Sequence, residues 1–352
     1  MDAVISFPSL EERLASAIPT PVYRMLIRRP VLHFFYHTIS TKPLAHIRYL
    51  YPCKTPEVFE EDLVYLKNHF QPVSYQQLLE YVEAKEPLPA GAAMLSFDDG
   101  LAESYTSARP LLIKHGLPCI FFITTGVLDN QDMLYRHKIS LCIEKASRLD
   151  FEQRQAAFAY LSHRFALTLT GLESFAIWIK GLKDEDQEAL QAACQALEVD
   201  IPGYLKEHCP YLTGEQARNL KSDGFTLGAH GIHHIKFNLL DEAGMEEELV
   251  RSCQSVQEIS GERRVPFAFP FSASGVEREA IRRILDRNPQ LGLVFDTKGV
   301  RKDAAFIFNR IWSDVPAPGN RQGSDIPWRT HRAYEDVFLS KMRRLKMYTG
   351  KR

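Results

Sequence analysis

Short apolar runs alternate along this chain with stretches whose apolar residues recur every three or four positions. The runs are VLHFFY (31–36), AMLSF (93–97), CIFFI (119–123), FTLGA (225–229), PFAFPF (266–271), GLVFD and AFIFNRIW. Each has the length of a buried strand. Between them lie helical patterns. In TPEVFEEDLVYLKNHF, Thr55 suits an N-cap and Pro56 the first helical position, and Phe59, Leu63, Leu66 and Phe70 share one face. SYQQLLEYVEA (74–84), SYTSARPLLIKHG closed by Gly116, MEEELVRSCQSVQEI and EREAIRRIL follow the same rule. Buried strands each followed by a helix predict parallel pairing with right-handed crossovers. Six or seven such units predict an α/β fold, a barrel of parallel strands.

The alternation breaks between 131 and 222, where MLYRHKISLCIEKASRL, FEQRQAAFAYLSHRF and DEDQEALQAACQAL are helical and no strand is evident. The expected organisation is an N-terminal helical segment (1–29), a barrel (30–320) with a helical insertion at about 131–215, and a C-terminal helix with a basic tail (321–352). Barrel topology places the insertion beside the cleft, as a lid or wall, because it leaves from the C-terminal end of CIFFI. A dimer contact is the other reading.

Composition narrows the field. The chain has 352 residues, 45% of them apolar, and a formal net charge of −1. That gives no electrostatic case for nucleic acid. Six cysteines form no C-x-x-C pair, which speaks against a zinc knuckle and for buried free thiols in a reducing compartment. The N-terminus does not read as a secretory signal, and no apolar stretch is long enough to span a membrane. The expected location is cytoplasmic. VYRMLIRRPVLHFFYH mixes basic and large apolar residues, so a peripheral contact with a membrane surface stays open. The oligomeric state is not legible.

Chemistry concentrates where AMLSF runs into Asp98, Asp99 and Gly100. Two vicinal carboxylates at the C-terminal end of a barrel strand, where such folds keep their active sites, call for a cation. One can ligate a metal while the other acts as a base. Among twelve histidines, His33/His37 and His230/His234 are spaced four apart. On a strand, four residues span about 13 Å, so His33 and His37 cannot share an ion. GAHGIHH leaves its strand at Gly228 and enters a turn; a helical turn would bring His230 and His234 together. His233 would then point away.

LSFDDG, GAHGIHH and FAFPF resemble, in order and type, the motif blocks of polysaccharide deacetylases of the nodulation-protein-B type, carbohydrate esterase family four. FFYHTIS and the helices after it resemble the N-terminal part of bacterial members. The resemblance covers about 30–125 and 213–312. It implies a distorted (β/α) barrel and a divalent metal, most often zinc, held by Asp99, His230 and His234, with Asp98 as general base and an N-acetylated sugar or glycan as substrate. The backbone N–H of Phe271 would complete an oxyanion site, where family members commonly carry tyrosine. Two departures stand out. Ala268 occupies the place of the family's base-orienting arginine, for which Arg310 is the substitute considered. The late Leu-x-His block is missing, which leaves His37 or His331 as the acid. The expected function is a metal-dependent carbohydrate deacetylase. The alternatives are a catalytically silent glycan-binding protein on the same scaffold and, more remotely, an Fe(II) oxygenase.

Overall fold

A computed structural model describes residues 14–183, 185–315 and 323–349, without the side chains of 344–349. Residues 1–13 of the expected N-terminal segment and the last three of the basic tail lie outside the described residues. Residues 14–16 are helical, and α1 (Thr20–Leu26) and β1 (Leu32–Tyr36) follow. Helix α2 (Pro56–His69) starts as its sequence predicts, with Val58 N–H donating to the Thr55 hydroxyl. Next come β2 (Gln71–Pro72), α3 (Tyr75–Glu83), β3 (Ala92–Phe97), α4 (Arg109–His115) and β4 (Ile120–Ile123). Ser74 and Gln77 close a capping box on α3, and Gly116 ends α4 at φ 63°. The glycine takes this left-handed position without a Cβ clash.

Six helices fill the interval without a strand: α5 (Tyr135–Arg148), α6 (Phe151–Phe165), α7 (Leu172–Gly181), α8 (Gln187–Ala196), α9 (Ile201–His208) and α10 (Gly214–Ser222). The first four share a core of their own, in which Phe158 stacks on Phe175, 4.9 Å apart, whereas Ala217 and Leu220 of α10 join the core of the barrel. The βα alternation then resumes with β5 (Thr226–Ala229), α11 (Glu242–Ser260), β6 (Val265–Ala268), α12 (Arg278–Arg287), β7 (Leu291–Asp296), β8 (Ile307–Asn309), β9 (Ile311–Trp312) and α13 (Ile326–Thr349).

All strand pairs are parallel, in the order β8-β7-β6-β5-β4-β3-β1-β9, with β2 beside the start of β3. β8 and β9 are successive halves of one passage. The first half pairs with β7, the second with β1, and Arg310 lies between them. One segment therefore covers both edges, giving a nearly closed (β/α) barrel. Outward side chains of β1 pack on α2, as Phe34 and Tyr36 do on Phe70 and Phe59. Inward ones fill the barrel, where Phe122 and His33 meet Phe295.

Two expectations need correction. PFAFPF is not strand throughout: β6 stops at Ala268, and Phe271 has φ 58°, a left-handed value that no strand accommodates. The free cysteines are not uniformly buried, since Cys209 is exposed and Cys53 and Cys194 are half-buried. Cys142 and Cys194 bring their sulfurs to 3.5 Å across α5 and α8.

Candidate active site

The C-terminal mouth of the barrel opens into a cavity of about 470 Å³. Asp98 and Asp99 enter it directly after β3, His230 and His234 after β5, and His37 after β1. Asp99 Oδ1 lies 3.4 Å from His230 Nε2 and 3.2 Å from His234 Nε2. One ligand-capable atom from each of the three lies within 4.8 Å of the others, and all three residues are buried. Asp99 Oδ1 has no well-aligned hydrogen-bond partner among the described residues. An orphaned buried carboxylate oxygen facing two imidazole nitrogens fits a divalent cation, and the donor set suits zinc. Burial opposes ionisation of Asp99, but His234, His230 and His37 outweigh it and hold this carboxyl well below the usual range. Burial lowers the His234 pKa against the pull of Asp99, which favours the neutral, ligating imidazole.

The two histidines do not converge through a helical turn. The segment after β5 bends, with Gly231 at φ 77° and His234 at φ 58°, and the imidazole centroids come to 5.0 Å. The bend is braced from two sides. Thr125 and Gly126 N–H groups donate to the Gly231 and Ile232 carbonyls, both at 3.0 Å. A Cβ on Gly126 would sit 2.3 Å from the Ile232 oxygen, so this contact requires glycine. On the other side Glu248 of α11, itself buried, accepts from Ile232 N–H at 2.7 Å and meets His233 Nδ1 at 2.6 Å. His233 thus points away from the cluster. His230 Nδ1 donates to the Ala268 carbonyl at 2.7 Å, which turns Nε2 toward Asp99.

Asp98 takes a different partner. Arg310 donates to it bidentately, Nη1 to Oδ1 at 2.6 Å and Nη2 to Oδ2 at 2.8 Å. The guanidinium is fully buried between the rings of Phe35 and Phe122, 4.5 and 5.0 Å from their centroids. Across the mouth, His37 pairs through Nδ1 with Asp314 Oδ2 at 2.5 Å, and its backbone N–H donates to Oδ1 at 2.9 Å. Trp312 Nε1 donates to the same Asp314 oxygen. Burial pulls the His37 pKa down; Asp314, then Asp99 and Asp98, overcome this and raise it to about 9. The ring of Phe271 lies 4.7 Å from that of His234, and its carbonyl accepts from Thr297.

Asp99, His234 and Phe271 are three of only nine non-glycine residues with positive φ among those described. Left-handed backbone costs about 1–3 kcal/mol at such residues, so strain gathers at this mouth. The insertion supplies part of the wall: Leu134, Arg136, His137 and Lys180 line the cavity beside Tyr49, Tyr51 and Trp312. His331 is elsewhere, bonded to Thr20 and packed on Tyr23. Sequence reasoning missed Asp314 and Glu248. Asp314 follows a strand end, as Asp98 does. Glu248 interrupts the apolar face of α11 between Met245 and Cys253. Both signals were present in the sequence.

The comparisons with known proteins agree with this geometry. A family model described as polysaccharide deacetylase matches residues 182–288, less than a third of the chain. The matched segment holds His230 and His234 but not Asp98 and Asp99. No curated protein sequence matches the chain. Among solved structures, IcaB from Ammonifex degensii superposes with a TM-score of 0.52 at 18% identity, over 87% of this chain and 97% of that one. The Streptococcus pyogenes deacetylase PplD, solved in complex with acetate, gives 0.50 at 14% identity, over 80% and 91%. BC0361, a polysaccharide deacetylase from Bacillus cereus, gives 0.50 at 12%, over 86% and 68%. The barrel is the one these proteins share. The resemblance to the polysaccharide deacetylase family, first carried by three sequence blocks, is borne out.

Proposed function

We propose that the protein is a metal-dependent hydrolase that removes an acetyl group from an N-acetylated sugar or glycan. The observation that carries this reading is the meeting, at one barrel mouth, of Asp99, His230 and His234 with a second carboxylate, Asp98, held off that cluster by Arg310. Asp99, His230 and His234 would hold the ion, for which zinc is the best fit. When bound there, such an ion acidifies a water and polarises the amide carbonyl. Asp98 accepts the proton of the attacking water. The Phe271 N–H receives the charge growing on the carbonyl oxygen. His37, oriented by Asp314 and Trp312, gives a proton to the departing amine. Asp98 and His37 thus divide base and acid work between an arginine-paired carboxylate and an aspartate-paired imidazole.

The silent-binder alternative rested on Ala268 and on the missing late histidine block. Arg310 and His37 supply both groups from other positions, which favours catalysis. Among the described residues no helix is long and apolar enough to cross a membrane. The cytoplasm remains the proposed location, to be checked by fractionation. The deciding experiment measures bound metal and acetate release from N-acetylated oligosaccharides. Asp99→Ala and His234→Ala should each abolish both; full activity in either variant overturns the mechanism.

A further inference from the structure

Below Asp98 the hydrogen bonding continues down the barrel axis. Arg310 Nη1 also donates to Ser96 Oγ at 3.1 Å, and Ser96 Oγ lies 2.9 Å from His33 Nε2. All four residues are buried. We propose that Ser96 and His33 are positioning residues for Asp98, acting through Arg310. The inference rests on the reading of Asp98 as base and adds to it what fixes that base in place.

The argument is geometric. The rings of Phe35 and Phe122 confine the guanidinium, 4.5 and 5.0 Å from its Cζ, but do not fix how it turns against Asp98. The two bonds to Asp98 act on one edge and leave that edge free to pivot with the carboxylate. The bond to Ser96 is the third point, and it removes the remaining rotation. Ser96 holds this bond only as an acceptor, so its own proton needs a taker. His33 Nε2 is the nitrogen in reach, which assigns the hydrogen of the imidazole to Nδ1. A protonated His33 would place a second buried cation against Arg310. Burial first, and then Arg310, push its pKa well below the ordinary histidine value, so the neutral acceptor form persists. His33 Nδ1 has no protein partner among the described residues, and His33 lines a cavity of about 390 Å³ at the opposite end of the barrel, beside Val31 and Phe308. The row therefore crosses the whole interior, with a neutral acceptor at one end and the proposed base at the other.

The test uses full-length protein with its metal. Ser96→Ala should lower kcat by about 10- to 100-fold, the scale of a misplaced catalytic group, with KM and metal content unchanged. Ser96→Thr keeps the hydroxyl and should restore most of the loss. A second readout does not need turnover. In arginine-labelled wild-type protein the two Nη1 hydrogens of Arg310, one on Asp98 and one on Ser96, should be resolved by slow rotation about Cζ–Nη1, and in Ser96→Ala they should average. A Ser96→Ala enzyme with wild-type kcat and resolved Nη1 signals overturns the proposal. If Ser96→Ala fails to fold, His33→Gln (acceptor kept) against His33→Leu (acceptor lost) decides the same point, and equal wild-type kcat in both overturns it. If the wild-type enzyme releases no acetate, the deacetylase reading falls. The Nη1 resonances then still decide whether Ser96 fixes Arg310.

Discussion

Two histidine pairs with the same spacing meet opposite fates. His230 and His234 stand four residues apart and turn both imidazoles onto Asp99. His33 and His37 also stand four apart, on a straight strand and its end, and their rings serve places on either side of Asp98. His33 lies beneath Ser96 and Arg310, and His37 lies at the mouth against Asp314. The spacing is therefore uninformative by itself, and the backbone decides. An extended strand keeps side chains four apart about 13 Å from each other. Two left-handed residues, Gly231 and His234, fold the other segment back on itself. One pair meets at Asp99, where an ion could be held, and the other brackets Asp98.

The largest expected effects test this division directly. His230→Ala should lose stoichiometric metal, whereas His37→Ala should keep it and lower kcat by about 10²–10⁴, the range for a general acid. Metal analysis beside steady-state kinetics separates the two. Metal loss in His37→Ala would erase the contrast. One step smaller is Glu248→Ala. It releases the bend that holds His230 and His234 without touching either, and should weaken metal affinity by about 10- to 100-fold. Calorimetric metal titration reads this, with circular dichroism showing that α11 is retained. Unchanged affinity would mean that Thr125 and Gly126 suffice as braces.

The pH dependence sharpens the comparison from the His37 side. With a pKa raised to about 9, His37 is a protonated acid at neutral pH, so kcat/KM should fall as pH rises through about 9. Asp314→Asn removes the main raising influence and leaves burial, which lowers the pKa. The alkaline limb should then move toward neutrality. Stability follows the same sign. A folded pKa above the unfolded value of about 6.5 means that the His37–Asp314 pair stabilises the fold fully below that pH. The contribution is lost as pH rises through about 9. Melting curves at pH 6 and pH 10 should differ more in the wild-type protein than in Asp314→Asn; an equal difference would show that the pair does not carry it.

Much of this was legible in the sequence because it rests on local rules. Thr55–Pro56 and Ser74–Gln77 start helices wherever the fold puts them, and a strand ending in Asp98 and Asp99 announces a site. The return of Arg310 was legible only as a candidate. Nothing in FNRIW states that one extended segment changes partners from β7 to β1 at that residue. The role of His37 depended on Asp314, 277 residues away, and no periodicity links them. The insertion was readable as helices, but which of its residues reach the cleft was not. Leu134, Arg136 and His137 do so because α5 begins at the mouth, and Lys180 because α7 ends there. Local propensity carries element identity, whereas convergence depends on topology.

The smallest expected effect concerns Phe271, where the sequence departs from the tyrosine common in the family it resembles. The proposed role belongs to its backbone N–H, placed by a left-handed φ of 58° just past β6. Side-chain exchange should therefore matter little. Phe271→Tyr should stay within about threefold of wild-type kcat. Phe271→Ala, which keeps the N–H but removes the ring beside His234, should lose less than about tenfold. Deleting an oxyanion donor typically costs about 10²–10³. A loss of that size in Phe271→Ala, with metal still bound, would shift the work from the peptide to the ring. It would also mean that His234 needs an aromatic neighbour as much as it needs its bent backbone, so that backbone shape alone no longer accounts for the difference between the two histidine pairs.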